Sequence, residues 1–170
     1  LGLPPWPVAV AAAAIGTVAA HRAGVRVAAV ARGVSWELVP FLFGVLVLAT
    51  ALARGGVTGQ LRALYAGAAF PLPTVGVVAA VGSAVIDNHP MALLHSLALA
   101  DAPQRLVLAA LVGGDLGPRL LPIGSLAGLL WTHQLRARGV IVPLSTFVRV
   151  GLIVTVPSLA ASLVVLWLVS

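Results

Sequence analysis

From Leu144 to Val169 the sequence carries one charge, Arg149, in a run longer than the about 20 residues that cross a bilayer as a helix. The rest of the chain shares that character. Hydrophobic residues make up 61% of the 170 and charged residues 8%, and the mean hydropathy is +1.12. A soluble domain needs far more polar surface to cover its core, so the composition gives an all-α integral membrane protein. Within hydrocarbon, non-helical backbone survives only where protein buries it or where it lines a polar cavity. Every break in an apolar run is therefore informative.

Composition also excludes function classes. All the basic residues are Arg. A phosphate-binding P-loop needs its Lys, so the chain does not hydrolyse ATP by that route. The net charge of +6 reads as membrane orientation and not as nucleic-acid binding, because the arginines are scattered singly and aromatics to stack bases are few. Without Cys there is no disulfide, no thiolate metal site and no redox switch. No metal and no cofactor is expected. Leu1 opens the chain without Met, a basic n-region or a small-residue cleavage site, so an interior fragment is expected and not a signal peptide.

The apolar blocks form a single transmembrane domain over residues 1–170. Leu1–Ala20 is about one span, and His21–Ser35 is an Arg-bearing loop. Trp36–Ala53 is a second span, opened by an interfacial Trp36 beside Glu37. Arg54–Gly59 is a Gly-rich joint and Leu61–Phe70 a short, partly polar segment. Pro71–Ala100 is interrupted by Asp87-Asn88-His89-Pro90. Its arms, Pro73–Ile86 and Met91–Ala100, reach about 21 Å and about 15 Å, short of a hydrocarbon core of about 30 Å. A re-entrant hairpin over 71–100 competes with one span kinked at Pro90. The hairpin puts Arg22, Arg26, Arg32, Arg136, Arg138 and Arg149 inside against Arg54, Arg62 and Arg105 outside; the straight span evens the balance. The positive-inside bias favours the hairpin.

A second anomaly lies within 104–136. Gly113, Gly114, Gly117, Pro118, Pro122 and Gly124 are expected to break this transmembrane helix for about ten residues, with Pro122 in the first turn of the second half. Broken helices and re-entrant segments build transporter sites near the midplane, so the two polar clusters are expected around one cavity. The candidate site residues are Asp87, Asn88, His89, Asp115, Gly117, Arg119, Gly124 and Ser125, with Pro90, Pro118 and Pro122 shaping the backbone. Each has a plainer reading. Asp87 caps the second arm, and Asn88 bridges the tip backbone. His89 packs with a satisfied ring, and Asp115 pairs with Arg119 as a structural ion pair. Ser125 bonds its preceding turn. His95 reads as interfacial, and His133 with Arg136 as headgroup anchors. An ionisable group at membrane depth is otherwise functional by default, and Asp87 or His89 offers proton coupling.

Asp87-Asn88-His89-Pro90 resembles the Asn-Asn-x-Pro motif of the arsenite efflux permeases, the membrane subunit of the arsenical pump. Gly114-Asp115-Leu116-Gly117-Pro118-Arg119-Leu120-Leu121-Pro122-Ile123-Gly124-Ser125-Leu126-Ala127 resembles that family's Gly-Asp-Leu-Gly-Pro-Lys-x-x-Pro-Ile-Gly-Ser-Leu-Ala run. Leu130-Trp131, the basic Arg136–Arg138 turn and the last span, 144–169, follow in the same order. The resemblance implies the ion-transporter-superfamily fold, two inverted repeats each with a re-entrant hairpin and a discontinuous helix, of which this chain is the C-terminal repeat. It implies arsenite and antimonite export, driven by the proton gradient or by a cytoplasmic arsenite-stimulated ATPase. It also implies a multi-pass protein of the inner membrane whose partners are lipid, the N-terminal half of the same permease, or a second copy in a homodimer. Asp87 replaces the first Asn of the motif, His89 takes a position often Leu or Met, and Arg119 stands for Lys. The tip can therefore titrate where the family's is neutral.

Two rival transporters of the same superfamily stay open, a sodium/proton antiporter and a carboxylate transporter, since half-helix dipoles serve anions equally well. An intramembrane aspartyl protease using Asp87 and Asp115 is a more distant reading. Its Gly-x-Gly-Asp pattern lacks the first Gly here, where Val112-Gly113-Gly114 precedes Asp115, and its dyad must share a proton. Transport, not enzymatic chemistry, is the reading that uses both breaks.

Overall fold

The computed structural model describes residues 4–33, 36 and 38–169, so Ser35, at the end of the Arg-bearing loop, and Glu37, beside Trp36 in the second expected span, lie outside the described residues. Those residues form α-helices and two short 3-10 turns, with no strand among them. The chain divides into two units, Leu1–Leu42 and Phe43–Ser170. In the first, α1 (Pro5–Arg22) starts after an extended Pro4 and ends with His21 and Arg22 in its last turn, where positive charge suits the helix dipole. A turn through Gly24, φ 86°, leads to α2 (Val27–Arg32). The exposed Trp36 donates its indole N–H to the Ala31 carbonyl at 2.8 Å.

The second unit holds most of α3 (Leu38–Arg54) and all that follows: α4 (Val57–Ala66), α5 (Pro71–Ile86), α6 (Asn88–Ala98), α7 (Gln104–Leu116), α8 (Leu126–Ala137) and α9 (Leu144–Val169). α9 is the one helix among the described residues long and apolar enough to cross a membrane alone. α3 and α4 pass the same test together, bent by 62°. The joint expected over Arg54–Gly59 shrinks to Gly55-Gly56, where Gly56 takes φ 88°.

The core forms where α5 and α7 cross. Val75, Ala79 and Ala109 are fully buried there. A Cβ on Gly113 would strike the Gly76 carbonyl, and one on Gly117 the Ala80 carbonyl. Backbones this close need small residues on both sides, as in membrane helix pairs generally. Gly113 and Gly114 therefore do not break the helix as expected. α7 runs through both, and Asp115, to Leu116. Gly costs a helix about 1 kcal/mol against Ala, and the close packing offsets it. The break is confined to Gly117–Ser125: a 3-10 turn at Gly117–Arg119, an extended Leu121, and a second turn at Pro122–Gly124. Pro122 thus sits in its own 3-10 turn, ahead of α8, and not in that helix's first turn.

α6 runs back along α5. Gly82 meets the Met91 side chain near the joint, and Pro71 lines a cleft with Ala98 at the other end. α9 closes the break from outside. Gly151 lies against the Arg119 carbonyl, and the buried Thr155 hydroxyl donates to the Leu116 carbonyl at 3.4 Å. That bond satisfies a carbonyl the broken helix leaves open.

Candidate functional site

α5 and α6 are separated by one residue, Asp87, with φ 79° and ψ 150°. It is the only non-glycine residue with positive φ among the described residues. Its carboxylate is buried and caps α6: Oδ1 accepts the backbone N–H of His89 at 3.0 Å and lies 2.8 Å from His89 Nδ1. Asp87 Oδ2 has no partner. The capping role read from the sequence is therefore the observed geometry, and His89, not Asp87, presents the exposed side chain.

Two cavities flank this joint. The first, about 360 Å³, is bordered by Ser83, Asn88, His89, His95, Gly114 and Asp115 among others. The second, about 680 Å³, is bordered by Asn88, Asp115, Pro118, Arg119, Ser125 and Trp131, with α9 residues such as Thr146 and Phe147. Asn88 and Asp115 border both and form their common wall. Asn88 Oδ1 is buried without a partner. Ser125 is the N-cap of α8, its hydroxyl accepting the Gly128 N–H at 3.0 Å. It therefore bonds the following turn and not the preceding one, and the start of α8 opens beside Ser125 on the second cavity. Amides, hydroxyls, a carboxylate and a helix N-terminus together offer both donors and acceptors to a small polar solute.

The structure thus gathers Asn88, His89, Asp115, Arg119 and Ser125 on two adjoining cavities. Gly117 and Gly124 border neither. A Cβ on Gly124 would come within 2.8 Å of Pro118 Cα and 3.0 Å of Ala84 Cα, so both glycines seat the break against α5. Pro90 is fully buried at the start of α6, and Pro118 opens the break. No ion pair joins Asp115 to Arg119 among the described residues; the one found is His89–Asp87. Asp87 and Asp115 do not face each other across a cavity either, because Asp87 borders neither.

Two features were missed from sequence. His95, read as an interfacial residue, is buried inside the protein. It is 4% exposed, Nδ1 donates to the Met91 carbonyl at 2.8 Å, and Nε2 accepts the Tyr65 hydroxyl at 2.7 Å. The Tyr65 partner lies 30 residues away. Ser83 is fully buried with an unpartnered hydroxyl. Thr50, Thr74, Ser96 and Ser162 all bond carbonyls of their own preceding turns. Ser83 does not, and it borders the first cavity.

The family profile described as arsenical pump membrane protein matches residues 2–169. An arsenical pump membrane protein of Escherichia coli is 30% identical over 182 residues, covering 98% of this chain and 42% of the relative. That of Yersinia enterocolitica is 31% identical over 172 residues, covering 92% and 40%. The chain thus spans about two-fifths of the length of these relatives. No solved structure matches it.

Proposed function

Because the chain belongs to the arsenical pump membrane protein family, we propose that it forms the C-terminal half of a multi-pass permease exporting arsenite and antimonite across the inner membrane. The observation that carries this reading is the convergence of Asn88, from the α5–α6 joint, and Asp115, from the last turn of α7, on one wall between two cavities. Arsenite at neutral pH is mostly an uncharged trihydroxide, a compact donor and acceptor. An amide, a carboxylate, hydroxyls and a helix end bind such a solute without the thiol this chain lacks. In this reading α5 and α6 enter the bilayer as a re-entrant hairpin. α7 and α8 form the discontinuous helix of one of two inverted repeats. Export against a gradient draws on the proton gradient or on a cytoplasmic arsenite-stimulated ATPase.

Polar groups on these cavities facing lipid would cost several kcal/mol each. The N-terminal half of the same permease covers them, or a second copy of this chain in a homodimer. The test is arsenite and antimonite resistance, with uptake into everted vesicles, for the chain alone and with a matching N-terminal half. Resistance and uptake are expected only for the pair. Full export by the chain alone would establish the homodimer, and none in either arm would overturn the reading. The exposed Arg119 beside the start of α8 favours a second reading, a carboxylate transporter of the same superfamily. Competition by dicarboxylates in the same vesicles separates the two.

A further inference from the structure

The Asp87 carboxylate decides the tautomer of His89. A carboxylate only accepts, so the 2.8 Å contact with Oδ1 puts the ring hydrogen on Nδ1. The lone pair of the neutral imidazole then lies on Nε2, at the opposite edge of a side chain that is 52% exposed. That side chain borders the first cavity together with Asn88 and Asp115. The backbone is bent to produce this arrangement. φ 79° with ψ 150° at a non-glycine residue is strained conformation. At Asp87 it brings a carboxylate, an N–H and a ring nitrogen into one cluster.

We propose that His89 Nε2 is the atom on which the coupling proton and the permeant exclude one another, with Asp87 as its positioning residue. The proposal rests on the permease reading above and, within it, on the proton gradient as the energy source. In the neutral state Nε2 accepts a hydrogen bond from one hydroxyl of the uncharged trihydroxide. A proton that adds to the same lone pair yields imidazolium, a donor at both edges, and leaves that hydroxyl without its acceptor. No bond of the permeant breaks, and the Nδ1 hydrogen stays on the ring throughout, donated to Asp87 Oδ1. Loss of the Nε2 proton to the cytoplasmic side restores the lone pair. Proton entry and permeant exit therefore alternate on one nitrogen, and by linkage each weakens the binding of the other. The charged or titratable groups around the ring are Asp87 at the joint, Asp115 on α7 and His95 further along α6. Arg119 borders only the second cavity, and α5 contributes no charge.

The experiment is arsenite uptake into everted vesicles holding this chain with its N-terminal half, measured against pH with and without a proton gradient. In the parent, apparent affinity should fall with acidification, by at most about tenfold per pH unit for one competing proton. His89→Gln keeps an acceptor that does not titrate. It should make affinity independent of pH, abolish uphill accumulation and retain arsenite exchange down its gradient. Asp87→Asn keeps the cap but frees the tautomer, and should displace the pH profile while exchange persists. Proton-driven accumulation with the parent's pH profile in His89→Gln would overturn the proposal. So would loss of exchange in both variants, which would make the ring structural. Absence of any arsenite movement in the parent would instead overturn the permease reading itself.

Discussion

At Asp87 the C-terminus of one helix meets the N-terminus of the next with no spacer, since α5 ends at Ile86 and α6 starts at Asn88. The side chain offsets part of the backbone strain by capping α6. Asp87→Asn retains a capping oxygen and should cost only a few tenths of a kcal/mol. Asp87→Ala loses the cap and keeps the strained backbone, and should cost about 1–2 kcal/mol. Thermal unfolding midpoints in detergent check the order; equal midpoints would deny the cap its role. The joint was legible because three polar residues and a proline together stand out in an apolar run. The Asp87–His89 bond was not, because a spacing of two residues does not reveal a positive φ. Ser83 escaped notice because a lone Ser in an apolar helix usually bonds its own preceding turn. The burial of His95 was not legible because its partner, Tyr65, comes from another helix.

Among the elements, α5 and α7 set the tolerance of the molecule. Gly113 and Gly114 are neighbours in sequence with opposite surroundings. A Cβ at Gly113 collides with backbone of α5, whereas one at Gly114 meets only Ser83 Oγ at 3.6 Å, ordinary contact. Gly113→Ala should therefore sharply reduce the yield of monodisperse protein in detergent, by a cost of 1–3 kcal/mol or more. Gly114→Ala should preserve that yield and add up to about 1 kcal/mol of helix stability. Equal yields would mean that the seam is looser than the structure shows. The sequence signalled that this region breaks, but not where. Glycine weakens a helix and also permits helices to touch, and the first property is visible in one strand of text while the second needs the partner, Gly76 and Ala80.

For the whole molecule, the arginine distribution predicts a cytoplasmic face. Arg138, exposed at the end of α8, lies in a basic turn expected inside, with the Asp87–Pro90 joint approached from outside. The chain has no cysteine, so Arg138→Cys gives a clean single label. An impermeant thiol reagent should reach it in everted vesicles and not in intact cells; labelling from outside would reverse the orientation. The seam between α5 and α7 has a mechanical side as well. Main chain resting on main chain leaves no side-chain cushion to compress, so these two helices can only move as one stiff block. α8 has no buried residue, follows two 3-10 turns and meets α9 through the rings of Trp131 and Phe147. Asp115 belongs to the block and Asn88 adjoins it at the start of α6, while Ser125 and Trp131 lie beyond the first 3-10 turn. Motion about the break would swing one wall of the second cavity past a pair of polar groups that stay still, as a door moves against its frame.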